Sequence, residues 1–136
     1  MLRLLLLISI VLLPCTHFAN DCVPQDATDI LLCGKVVSRT YPGPPHFENV
    51  ATGDRAEQCL ILVLDSEQCF TIKTYDGKVI TIQLTEIQLF ADKETANKVQ
   101  QFTGQHICVL GNIWSANNAH RRTGVLMTVK EIRKIA

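Results

Sequence analysis

Apolar and polar residues alternate along most of the chain after residue 20, which is the pattern of β-strands buried on one face. The first such run is "DILLCGKVVSRTY", and the second is "QCLILVLD". Both are rich in β-branched and aliphatic residues, as strands are. Gly34 interrupts the first run, and a glycine inside a strand marks a bulge, a bend or a close backbone approach.

The next segment, "QCFTIKTYDGKVITIQL", predicts a β-hairpin. Asp76 and Gly77 supply the tight turn, because both residues tolerate the left-handed backbone that such turns need. β-Branched residues flank the turn on both sides, and "TEIQLFA" continues the second arm or follows it.

The period then changes over "DKETANKVQQFTG", where Ala96, Val99 and Phe102 are spaced as on one face of a helix. Asp92 is a suitable N-cap and Gly104 a suitable end. We therefore predict one short helix near residues 92–103.

Two more strands follow the helix, "QHICVLGNIW" and "TGVLMTVKEIRKI". Five to six strands with one short helix before the penultimate strand predict a mainly β protein, a small OB-like barrel. An SH3-like barrel or an open sandwich is the alternative. In the OB-like arrangement the first strand pairs with residues 106–114, and Gly34 and Gly111 form the bends. The predicted core-facing positions are Ile30, Leu32, Gly34, Val36, Leu60, Leu62, Leu64, Ile107, Val109, Val125 and Met127.

The N-terminus has the features of a secretory signal peptide: one basic residue, Arg3, and then an apolar run from Leu4 to Leu13 that is too short to span a bilayer. We assign residues 1–19 to the signal and residues 20–136 to a single domain. Cleavage before Cys15 would make a lipoprotein, but Pro14 stands where a small residue is expected. No later segment is a candidate membrane span, so we expect an exported, periplasmic or secreted protein.

The charge of the predicted mature domain is nearly balanced, since the 13 acidic side chains face 12 basic ones once Arg3 is removed. A balanced surface gives no general attraction to nucleic acid or to membranes. Any anion binding therefore depends on a local patch.

Five cysteines follow the signal, and in an oxidising compartment the default interpretation is disulfides. The alternation directs Cys33, Cys59 and Cys108 away from the barrel interior. The first strand neighbours the strands of both other cysteines, so Cys33 can bridge to Cys108 or to Cys59. Barrel closure favours Cys108. Because five is odd, at least one thiol stays outside these bridges.

The loop "RTYPGPPHFENVATGD" contains three prolines, which restrict its backbone. One interpretation is a stiff connector that covers a barrel end. The other is a recognition loop that holds Tyr41, His46 and Phe47 at the barrel mouth, because long ordered loops on rigid barrels often carry function.

A second loop, "SANNAHRRTG", precedes the last strand and contains His120, Arg121 and Arg122, the densest cationic cluster of the mature chain. Arginine offers forked donors to carboxylates, phosphates and sulfated sugars. Trp114 and Tyr41 can stack on a base or sugar ring. The alternative is a solvated turn whose arginines contact only water and contribute little to stability.

The proline loop also carries a resemblance. "TYPGPPHFENVATGD", "AEQCLILVLDSEQC" and "FTGQHICVLGNIWSANNAHRRTGVLMTVKEI" resemble a bacterial exported family of unknown function with a loop close to YPGPPNYES. The resemblance implies an OB-like barrel outside the cytoplasm and a disulfide between Cys22 and Cys69. The family's histidine-rich last turn keeps only His120 here, so a metal site built on those histidines in relatives is lost or changed.

Motifs for enzymes are absent: there is no catalytic Ser/His/Asp signature, phosphate loop or HExxH segment. His46, His106 and His120 are too isolated in sequence to indicate a metal site, and no cofactor is expected. We therefore predict an exported binding or accessory module for an unidentified anionic or sugar-like ligand or protein partner. A structural or protein-interaction domain, whose odd cysteine pairs with a partner, is the second hypothesis, and a hydrolase is the third.

Overall fold

The computed structural model describes residues 21–116 and 121–133, and these residues are mainly β. The long strands are separated by loops and by one short α-helix. The elements are β1 (Val23–Pro24), β2 (Ile30–Pro42), a 3₁₀ turn (Val50–Thr52), β3 (Ala56–Lys73), β4 (Val79–Phe90), α1 (Lys93–Gln100), β5 (His106–Ser115) and β6 (Val125–Arg133).

Strands β2 to β6 close into a barrel. β2 pairs antiparallel with both β3 and β5, and β5 pairs antiparallel with β6. The circuit is completed by antiparallel β3–β4 and parallel β4–β6 pairing. α1 connects β4 to β5, and the side chain of Asp92 accepts a hydrogen bond from the Thr95 amide at its start. The predicted OB-like barrel, its closing strand pair and its helix are therefore confirmed.

Strand β3 is longer than the sequence pattern indicated. The predicted second strand and the first arm of the predicted hairpin form one strand of 18 residues. Its register with β4 shifts between Val63 and Gln68, which oppose Glu86 and Leu84. Because more residues of β3 than of β4 lie between these two pairs, the extra residues bulge and bend the strand.

The core fills the barrel interior with side chains from every long strand and from α1. Apart from Gly34, every predicted core-facing residue belongs to this cluster or packs against it, and Leu60 and Leu64 of β3 are among those that pack against it. Val99 of α1 also belongs to the cluster. The buried apolar members are Leu32, Val36, Leu62, Phe70, Ile87, Leu89, Val99, Ile107, Val109, Ile113, Val125, Met127 and Val129.

Two disulfides staple the barrel. Cys22–Cys69 ties the start of the described chain to β3, beside the parallel β1–β3 pairing, which the pattern had not predicted. Cys33–Cys108 joins two residues that lie directly opposite each other on β2 and β5. On the chain-entropy model, closing loops with separations of 47 and 75 residues contributes about 4 kcal/mol each to stability. Cys59 is the free cysteine of the described residues.

Gly34 and Gly111 lie where two strand backbones approach too closely for a side chain. A Cβ on Gly34 would lie 2.1 Å from the carbonyl oxygen of Val63, and one on Gly111 would lie 2.2 Å from that of Thr128. Gly111 also marks the register shift between β5 and β6. The barrel bends at these positions only because no side chain intervenes.

We expect Gly111→Ala to destabilise the barrel, since the new methyl group must push β5 away from β6. Overpacking of this kind costs about 1–3 kcal/mol, and a backbone obstacle sets the cost at or above the upper end. Urea unfolding measures the loss. Gly124→Ala is the matched control, because its Cβ would first meet a mobile side-chain methyl, Ile82 Cδ1, at 3.2 Å. Equal losses in the two variants would contradict the steric argument.

Candidate functional site

Two apolar side chains that point outward from the barrel wall are nevertheless fully buried. Because Leu60 and Leu62 point inward, Ile61 points outward, yet Ile61 and Leu126 expose none of their surface. Neither belongs to the interior cluster. We call the surface around them the arginine face and define it by Tyr41, Phe90, Trp114, Arg121 and Arg122.

Arg122 fastens the turn before β6 to the start of the proline loop. Its Nη2 donates a hydrogen bond of 2.9 Å to the carbonyl oxygen of Pro42, and its guanidinium lies 4.5 Å from the centre of the Tyr41 ring. A carboxylate oxygen of Glu57 is 3.9 Å away. The backbone amide of Arg122 donates to Oε1 of Gln88 at 2.9 Å. Only 13% of the side chain is exposed, so the expectation of a solvated arginine is wrong here.

Arg121 extends over aromatic rings instead. Its guanidinium carbon is 4.9 Å from the centre of the Phe90 ring and 5.2 Å from that of Trp114, and the two rings are 5.4 Å apart. Among residues 21–116 and 121–133 it forms no ion pair, and its buried Nε has no hydrogen-bond partner there. Aromatic faces attract a cation without neutralising it, so the charge of Arg121 stays available.

The proline loop folds around the carboxylate of Asp54. This carboxylate accepts hydrogen bonds from the backbone amides of His46, Glu48 and Asn49 at 2.7–2.9 Å, and only 2% of its side chain is exposed. Three amide donors stabilise the charged form and lower the pKa of Asp54 to about 2. In the sequence Asp54 stands out only as the last residue of the proline loop, and its role as the acceptor that organises the loop was not predicted. The signal that could have found it is an acidic residue at the end of a loop whose backbone amides have no strand or helix partners.

The predicted site residues are partly brought together. Tyr41, Trp114, Arg121 and Arg122 share the arginine face, and the proline loop reaches it through Tyr41 and Pro42. The side chain of His46 is 73% exposed, and its Nδ1 lies 3.3 Å from Asp54. Phe47 is half-buried with a φ of 60°.

His120 lies outside the described residues. Phe90 is a member that the sequence analysis missed, although its outward position follows from the inward Leu89 next to it.

Cys59 lies on β3, directly opposite Arg39 of β2. Burial raises the pKa of its thiol, and the nearby Arg122 opposes this shift without reversing it. The protonated thiol is a poor nucleophile at neutral pH.

Arg39 of β2 forms a bidentate ion pair with Glu86 of β4, with N–O distances of 2.6 and 2.7 Å. The hydrogen bonds from Arg39 lower the pKa of Glu86.

Two shallow clefts accompany these features. One of about 400 Å³ lies between the outer edge of β4 and the turn before β6, with Gln83, Thr85 and Gly124 in its wall. The other, of about 180 Å³, lies beside the Cys33–Cys108 disulfide, close to the ion pair of Asp65 with His106.

The described part of the chain contains no cluster of three or more metal-ligating side chains and no helix suited to crossing a membrane.

A family model described as Domain of unknown function (DUF4431) matches residues 86–133. The match covers the end of β4, α1, β5 and β6, and thus includes Phe90, Trp114, Arg121 and Arg122. It supports an uncharacterised family, in agreement with that part of the resemblance. Tyr41 and the proline loop lie outside the match, so the loop motif and the bacterial origin stay predictions. No curated protein matches the chain significantly.

We expect Arg122→Ala to lower the free energy of unfolding, because the Pro42 carbonyl loses its hydrogen-bond donor. The expected loss is about 2 kcal/mol, a typical contribution of a hydrogen bond that involves a charged group. Chemical denaturation measures the change. Arg133→Ala is the control, since Arg133 is half-exposed and makes only a 3.5 Å surface ion pair. If the two variants are equally stable, the fastening role of Arg122 is wrong.

Asp54→Asn is expected to loosen the proline loop and lower the melting temperature by several degrees, because one amide nitrogen then faces backbone N–H donors. The wild type should also lose stability as the pH falls from about 4 to about 2. In that interval the unfolded carboxyl, with its ordinary pKa of 3.8, binds a proton while the folded one stays ionised. Between pH 4 and pH 2 the melting temperature of the wild type should therefore fall more steeply with decreasing pH than that of Asp54→Asn.

Glu94→Gln controls for general carboxylate effects, since the Glu94 side chain is exposed in a surface pair with Lys98. This variant should keep the pH dependence of the wild type. A wild type and an Asp54→Asn variant with identical pH dependence would show that Asp54 does not couple folding to pH.

Proposed function

We propose that the protein is an exported binding module that takes an anionic group of a sugar-like ligand on the arginine face, with Arg121 as the anchor. The observation that carries the proposal is the guanidinium of Arg121, which is held over Phe90 and Trp114 and forms no ion pair among the described residues. A positioned, unneutralised arginine is suited to a carboxylate, phosphate or sulfate.

Arg122 has a different role in this proposal. Its side chain is only 13% exposed and already contacts Pro42, Tyr41 and Glu57, so little of it is accessible to a ligand. It fixes the backbone that precedes β6 and thereby holds its neighbour in place. A fixed anchor loses less conformational entropy on binding than a mobile one.

Export is supported by the cysteine chemistry. Two disulfides within one small barrel fit an oxidising compartment, as expected for a protein delivered by the signal peptide assigned to residues 1–19. The second hypothesis, a partner captured through the odd cysteine, has less support, because burial keeps the Cys59 thiol protonated.

Binding to dextran sulfate, with uncharged dextran as the matched probe, tests the proposal. Calorimetry or fluorescence of Trp114 should detect dextran sulfate only, and added salt should weaken the interaction. Arg121→Ala should reduce the affinity at least tenfold, while Arg121→Lys, which keeps the charge without the planar fork, should retain part of it.

Circular dichroism must show that each variant is folded. Arg133→Ala removes one positive charge elsewhere and should bind like the wild type. The assignment of Arg121 is overturned if Arg121→Ala and Arg133→Ala bind equally well, and the anionic-ligand proposal is overturned if the wild type does not distinguish the two polymers.

A further inference from the structure

The first half of β4 is a sheet edge that no other described strand covers. Residues 79–87 pair with β3 on one side, whereas β6 joins β4 only from Gln88 onward. Every second residue of such an edge directs its N–H and C=O groups outward, where they can pair with another strand. The cleft of about 400 Å³ lies along the far end of this edge, which leaves space next to Gln83 and Thr85.

The sequence of this edge lacks the features that normally prevent strand pairing. Residues 79–85 read VITIQLT and contain no proline and no charge. By contrast, residues 37–42 of β2, which pair only with β3, include Arg39 and end at Pro42. The end of β6 that pairs only with β5 carries Lys130, Glu131 and Arg133. Charges and prolines protect strand edges, so the edge of β4 alone among these three is unprotected.

Apolar side chains are concentrated at the same place. Tyr75 is fully exposed, Val79 is 69% exposed and Ile80 is 40% exposed, and they are three of the five exposed large apolar residues in the described part of the chain. All three lie in the hairpin that joins β3 to β4 or at the start of β4. A partner strand laid along this edge would cover apolar surface as well as backbone groups.

We propose that the edge of β4 pairs antiparallel with the same edge of a second copy of the chain, about a two-fold axis at Ile82. In this register Ile80 lies opposite Leu84 of the second copy, and Thr81 lies opposite Gln83. Ile80, Ile82 and Leu84 thus meet apolar residues on one side of the strand, where Ile82 and Leu84 pack against the core. On the other side Thr81 meets Gln83, and Val79 meets Thr85. Lys78 and Glu86 flank this uncharged stretch and are paired within their own copy, with Asp76 and Arg39.

A second copy is favoured over an unrelated peptide because the edge is complementary to itself: apolar residues face apolar ones, and residues 79–85 bring no charge between the two strands. Each copy satisfies the outward backbone groups of the other, and the closed two-fold arrangement stops at the dimer. The interface uses one strand and the hairpin, which makes the dimer concentration-dependent rather than permanent. Arg122 also lines the cleft at the end of this edge, so the edge adjoins the arginine face. Arg121, the proposed ligand anchor, does not line that cleft, and the strand pairing does not require the ligand.

Sedimentation velocity over a range of protein concentrations tests the proposal. The wild type should pass from monomer to dimer. Thr81→Lys with Gln83→Lys should raise the dimer dissociation constant at least tenfold, because each new lysine then faces a lysine of the second copy. The corresponding double glutamate variant should be equally weak, and an equimolar mixture of the two should recover dimers.

Recovery in the mixture excludes misfolding as the cause of the loss. Ser38→Lys with Thr40→Lys places the same charges on exposed positions of the protected edge of β2 and should leave dimer formation unchanged. A wild type that is monomeric at every concentration overturns the proposal. A dimer that tolerates the double lysine change, or a mixture that recovers no dimer, overturns the assigned edge.

Discussion

The pairing of β2 with β5 is the contact on which the rest of the barrel depends. This pairing closes the sheet into a barrel, and the Cys33–Cys108 disulfide joins the two strands within it. Closure requires β2 to bend past β3, and only Gly34 permits the approach of the Val63 carbonyl. The bulge of β3 between Val63 and Gln68, opposite Thr85, supplies the second bend. In the closed barrel, the proline loop after β2 and the loop between β5 and β6 both start from strand ends that are fixed in position.

The outer layer follows from the same alternation that builds the core. Ile61 and Leu126 point away from the interior because their neighbours along the chain point into it. Both lie beside Gln88 in the strand pairing, Ile61 from β3 and Leu126 from β6. Gln88 is itself buried and accepts the Arg122 amide, so the segment that carries the arginines is attached directly beside this layer. The aliphatic stem of an arginine can lie along apolar surface while its guanidinium reaches carbonyls and rings, as that of Arg122 reaches Pro42 and Tyr41.

The sequence predicted the parts of the fold that depend on local pattern. Alternation identified the inward residues, Asp92 marked the start of the helix, and Gly34 and Gly111 marked close backbone approaches. Gly104 was wrong as the helix end, because the helix ends at Gln100 with Gln101 as its C-cap. The pairing of Cys33 with Cys108 needed one long-range assumption, barrel closure, whereas Cys22 with Cys69 came only from a family resemblance. The length of β3 was missed because a bulge restarts the alternation and resembles a strand end.

The site was less predictable, because it depends on contacts between residues far apart in sequence. Arg121 and Arg122 are equivalent in any composition-based view, and only the fold separates them. Gln88 of β4 receives the amide of Arg122, and Pro42 receives its side chain, so Arg122 points toward β2. The chain bends from Arg122 to Gly124, and Arg121, just before this bend, is directed toward Phe90 and Trp114. The burial of one arginine thus positions the charge of the other, and the proline loop takes part in the site as the acceptor of Arg122 rather than through His46.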